Sequence, residues 1–144
     1  MMKLRGWGAV ALAYPLAAFT GAVVVTIGFA AVSTYASLTN EFGWSEVLRG
    51  AWVLPVATIY AFVVYLVGLV VIGTPVWLVL VRIGRTTRRD AVIAGGTLCT
   101  VAGAVIILAM GEPAPAWEPW ALAATLAIPG AAAGWTLHRV AYGR

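Results

Sequence analysis

The chain has 144 residues, of which 62% are hydrophobic and only 10% charged. Ordinary soluble domains carry about 25% charged residues and a much smaller apolar share, and a domain of about 150 residues still exposes roughly 30% of its unfolded area. A soluble fold is therefore excluded, and lipid is the expected solvent. The net charge of +4, with a pI near 9.7, would raise nucleic-acid binding in a soluble protein. Here the charges stand at the ends of apolar runs, so the membrane accounts for them and no nucleic-acid partner is expected.

The first apolar run extends from about Trp7 to Tyr35, behind Lys3 and Arg5. Its unbroken part, Ala9 to Val32, exceeds the 7–15 residues of a signal-peptide core. An uncleaved membrane helix is expected, bent at Pro15. Ala9, Ala13, Ala17 and Gly21 recur every four residues and form one narrow stripe of the kind on which membrane helices approach closely. Thr39 to Leu48 mixes aromatic and acidic residues. It reads as an outer segment, either an interfacial helix from Ser45 or an ordered loop.

The second run, about 51–81, would be roughly 46 Å of helix, more than one span of about 20 residues needs and too little for two. Charge decides between them. With one crossing, Lys3, Arg5, Arg82, Arg85, Arg88, Arg89, Arg139 and Arg144 fall on one side and only Arg49 on the other. That is the bias expected of cytoplasmic loops, whereas two crossings would carry the Arg82–Arg89 cluster outside. Both termini are therefore expected in the cytoplasm. Within this run Gly73-Thr74-Pro75 interrupts the helix, because Pro75 lacks an N–H and crowds the carbonyl of Val71.

The third helix, about 88–110, opens on Thr87-Arg88-Arg89-Asp90, a hydroxyl followed three residues on by an acid, which is the pattern of a capping box. The turn is thereby confined to Gly84–Thr87, and so short a connection makes helices two and three antiparallel neighbours. Gly95, Cys99 and Gly103 repeat the four-residue spacing. The fourth helix, about 117–137, carries Gly130 and Gly134 as a GxxxG pair. Pro129 crowds the carbonyl of Thr125.

Lipid leaves no solvent for open backbone groups, which forces helices, and the alternating ten-residue strands of a barrel are missing. The seven tryptophans stand near helix ends, as an interfacial belt requires. The expected fold is all-α: one polytopic domain, 1–144, of four transmembrane helices in an antiparallel bundle.

The chemistry of catalysis is not legible in this sequence. Ionisable groups inside a membrane mark relays and substrate sites, and the four runs have none in their interiors. The small multidrug transporters are similar in size and helix number, but they depend on a carboxylate in the first helix, and no Asp or Glu lies between Trp7 and Tyr35. Gly96-Thr97-Leu98 with Gly103 invites comparison with the small fluoride channels, but the asparagine expected there is missing. One His and one Cys supply neither a metal site nor a pair of haem ligands, and no serine has a nearby base. His138, beside Arg139 at the end of the fourth helix, reads as an interfacial anchor, where a cation suits the helix C-terminus.

The composition resembles that of small alanine- and valine-rich four-helix membrane proteins of bacteria, a likeness that carries no activity with it. The expectation is an inner-membrane protein that is not an enzyme and needs no cofactor. It would act as a structural or accessory subunit that associates with other membrane helices, or with itself, through Ala13, Ala17, Gly21, Gly95, Cys99, Gly103, Gly130 and Gly134. Arg82, Arg85, Arg88 and Arg89 are expected to face anionic lipid headgroups or an acidic partner. The rival expectation is an oligomeric passive permease or channel for a small solute, lined by Thr20, Thr26, Thr58, Thr74, Thr97, Thr100 and Tyr60.

Overall fold

A computed structural model describes residues 7–39, 50–85, 87–109 and 117–143. Among the described residues 94% are helical and none lies in a strand. The elements are α1 (Trp7–Thr39), α2 (Val53–Gly68), a π-helical turn (Leu69–Gly73), α3 (Thr74–Arg82), α4 (Arg88–Ala109), α5 (Trp117–Thr125) and α6 (Ala127–Tyr142). Three helical stretches, Gly8–Tyr35, Val53–Arg82 and Arg88–Ala109, are long and apolar enough to cross a membrane. The outer segment after Thr39, apart from Gly50, lies outside the described residues.

The prolines act differently in each helix. α1 continues unbroken through Pro15. Ahead of Pro75 the helix widens to a π turn: the Thr74 N–H bonds the carbonyl of Leu69, five residues back, and the Thr74 hydroxyl donates to the same oxygen at 3.2 Å. The extra residue in that turn makes room for a ring that has no N–H to contribute. Pro129 accompanies a break in the last helix at Leu126, whose N–H bonds Ala123 three residues back at 3.2 Å. The break leaves pieces of 9 and 16 residues, α5 and α6.

The turn after α3 is closed by a Schellman arrangement, in which Arg85 N–H reaches the Leu80 carbonyl at 2.9 Å and Gly84 N–H reaches Val81 at 3.1 Å. Gly84 has φ of +73°, the left-handed conformation that a residue without Cβ adopts without strain. The capping box at the start of α4 is complete. The Thr87 hydroxyl donates to the Asp90 carboxylate at 2.7 Å, and the Thr87 N–H does so at 3.2 Å. The Asp90 N–H donates back to the hydroxyl at 3.3 Å.

The helices run antiparallel along three seams: α4 packs on α6, α6 on α1, and α1 on α2. The paired residues give the sense of the last seam, with Tyr14 beside Thr74, Gly21 beside Tyr65 and Thr26 beside Thr58. This corrects the expectation that the short Gly84 turn makes the second and third helices close neighbours. α3 meets α4 only weakly, and farther along Tyr65 of α2 lies beside Cys99 of α4. The reason is side-chain bulk. Glycines on α4 and α6 let two backbones touch, whereas the Val- and Ile-rich 53–82 stretch cannot approach α4 as closely.

The core consists of small residues. Ala13, Ala17, Ala18 and Ala22 are fully buried along α1, with Ala91, Ala123, Ala133 and Ala141 from the other helices. From Val53 to Arg82, by contrast, no residue is buried.

Candidate functional site

Of the residues expected at helix contacts, the structure brings together two sets. On α4 and α6, a Cβ at Gly95 would meet the carbonyl of Gly130, a Cβ at Gly130 would meet the carbonyl of Gly95 and the sulfur of Cys99, and a Cβ at Gly134 would meet the carbonyl of Ala91. Gly103 makes room for Leu126 and Ala123. On α1, Ala13 and Ala17 are buried. Gly21 accommodates the ring of Tyr65, which would lie 2.8 Å from a Cβ there. These small-residue faces are thus occupied within the chain.

Among the described residues the hydroxyl groups stand at separate places along the helices. Thr20, Thr26, Thr58, Thr97 and Thr100 each donate to the carbonyl four residues back, at 2.8–3.0 Å, which satisfies a polar group where water is scarce. Contacts between hydroxyls of different helices occur at separate places, Tyr14 with Thr74 at 2.9 Å, Thr58 with Thr26 at 3.1 Å and Thr136 with Thr20 at 3.3 Å. Tyr60 and Thr97 are exposed.

Two groupings stand at the end of the bundle that carries the Gly84 turn, the start of α1 and the end of α6. The first is aromatic. His138 stacks on Tyr142, ring centres 5.0 Å apart, and meets the edge of Trp77 at 6.4 Å; Trp77 and Tyr142 are 5.6 Å apart. A crevice beside this cluster is lined by Val10, Ala13, Tyr14, Trp77, Leu137 and Ala141. His138 is only 1% exposed, which corrects its reading as an interfacial anchor. α6 is the central helix of the bundle, so even its last turn is covered, here by α3.

The second grouping is cationic. Arg82, Arg85, Arg88 and Arg89 are all exposed. Arg88, at the start of α4, places its guanidinium carbon 5.1 Å from the Trp135 ring centre, and Arg139 on α6 does so at 5.0 Å. No known protein family, curated protein or solved structure matches the chain.

Among the described residues no three His, Cys, Asp or Glu side chains lie close enough together to hold a metal ion. The sequence reading missed the His138–Tyr142 stack and the Trp135–Arg139 contact. Both are i, i+4 pairs on one helix, a spacing that brings side chains together and was a readable signal. Trp77 and Arg88 reach these pairs from other helices, and no local pattern announces that. Of the belt tryptophans with described side chains, Trp52 and Trp120 are exposed, while Trp77 and Trp135 are partly covered by these contacts.

Proposed function

We propose that the chain is a four-span inner-membrane protein, with both termini and the Gly84 turn in the cytoplasm, that serves as a structural or accessory subunit for other membrane helices. The observation that carries this reading is the contrast between its helices. The glycines and alanines of α1, α4 and α6 are spent on internal contacts, while Val53–Arg82 packs along one seam on α1 and has no buried residue. Val56, Ile59, Val63, Val67 and Val70 are more than half exposed along it. A partner's helices on this face would bury surface that the chain itself leaves to lipid.

Extraction in mild detergent tests the proposal. The expected result is a larger complex in which the chain is stoichiometric, lost when Val63 and Val67 on the open face are replaced by Trp. Recovery of the isolated chain from gentle extraction counts against it. Solute flux through liposomes containing this chain alone would favour the oligomeric permease instead.

A further inference from the structure

The indole of Trp135 lies against two guanidinium groups from different helices, Arg88 on α4 and Arg139 on α6. Each contact by itself is favourable, because the face of an aromatic ring attracts a cation. Two like charges on one ring repel, and Arg88 also stands in the first turn of α4, where the helix dipole disfavours a cation. Some anion should offset this. Asp90 is the acid nearest in sequence, and its Oδ2 accepts from both the N–H and the hydroxyl of Thr87, which with the nearby charge of Arg85 hold its carboxyl below the usual range. The arrangement expected from the basic residues puts the other four acids, Glu41, Glu46, Glu112 and Glu118, across the membrane from this site.

We propose that Arg88 and Arg139, held on Trp135, form a binding site for the phosphate of an anionic phospholipid headgroup. Guanidinium is a planar fork of donors that fits phosphate oxygens in pairs. The amphipathic indole belongs at the depth where headgroups lie. Basic pockets between membrane helices are the recurrent form of such sites. The site here joins the start of α4 to the last turns of α6, two helices whose backbones meet at Gly95, Gly130 and Gly134, so the points from which the two arginines reach the ring are fixed before a lipid arrives. Arg82, Arg85 and Arg89, exposed at the same end of the bundle, raise the local concentration of anionic lipid. The inference rests on the membrane-spanning reading of the chain and is independent of whether it is an accessory subunit.

The test uses the full chain in neutral detergent, titrated with phosphatidylglycerol, with phosphatidylcholine and with inorganic phosphate, and read by native mass spectrometry of retained lipid. Phosphatidylglycerol should bind at least tenfold more tightly than phosphatidylcholine, and equimolar inorganic phosphate should not displace it. The R88Q/R139Q pair should lose that tenfold preference, whereas R85Q/R89Q, which removes the same charge from the same end, should change it less than threefold. The R88K/R139K pair keeps the charge and guards against misfolding of the glutamine variant; it should bind the anionic lipid at least threefold more weakly than the parent. Equal weakening by the two glutamine pairs, full binding by the lysine pair, or lack of preference between the two lipids would each overturn the site. Displacement by inorganic phosphate would overturn its assignment to lipid in favour of a free anion.

Discussion

Gly95 of α4 and Gly130 of α6 face each other so closely that a side chain on either would strike the other's carbonyl oxygen. The contact is reciprocal and made of backbone, which cannot rotate aside as a flexible side chain would. Gly95→Ala or Gly130→Ala should therefore force the helices apart and destabilise the fold by about 1–3 kcal/mol, measured by unfolding in detergent. Gly21→Ala should cost less, because the obstacle is the ring of Tyr65, which has a rotamer to give. Gly68→Ala, with open space at its Cβ, should lie within about 0.5 kcal/mol of the parent.

The capping box at Thr87 predicts a local loss at the start of α4. Thr87→Ala removes the hydroxyl that both accepts from the Asp90 N–H and donates to its carboxylate, and should cost about 1 kcal/mol. Thr87→Ser should retain most of it. Hydrogen exchange at the amide of Asp90 reads the effect directly, and an unchanged rate in the alanine variant would show that the cap contributes nothing.

The link between Tyr14 and Thr74 joins α1 to the helix just past the π turn. A double-mutant cycle with Tyr14→Phe and Thr74→Val should give a coupling of about 0.6 kcal/mol, the average for hydrogen bonds between membrane helices. A coupling of zero would mean that the 2.9 Å contact is geometry without energy.

The four-span arrangement predicts how the chain is labelled from each side of the membrane. In a Cys99→Ser background, Gly84→Cys and Gly143→Cys should react with an impermeant maleimide only when the cytoplasmic face is open, and Gly50→Cys only from the opposite face. Labelling of Gly84→Cys and Gly143→Cys from opposite faces would refute the arrangement.

Several local features were legible because they depend on residues a few positions apart. Thr87 and Asp90 announced a cap, and their hydrogen bonds form it. Pro75 and Pro129 marked interruptions at 69–73 and 126, although the sequence did not distinguish a widened turn from a break. That difference depends on whether the freed carbonyls find new partners, as Leu69 does in Thr74. His138 was misread because its neighbour Arg139 suggested an interface, while the group that covers it, Trp77, is 61 positions away in sequence.

The sequence by itself determined that the chain is helical and carries stretches apolar enough to cross a membrane, because composition, prolines and caps act within a single helix. It also carried the four-residue spacings of glycine and alanine. Only the tertiary structure decided which faces meet: α4 against α6, α6 against α1, and Tyr65 in the hollow left by Gly21. Partner choice depends on how two surfaces fit in depth and register, and a short turn between helices constrains that less than a pair of facing glycines does.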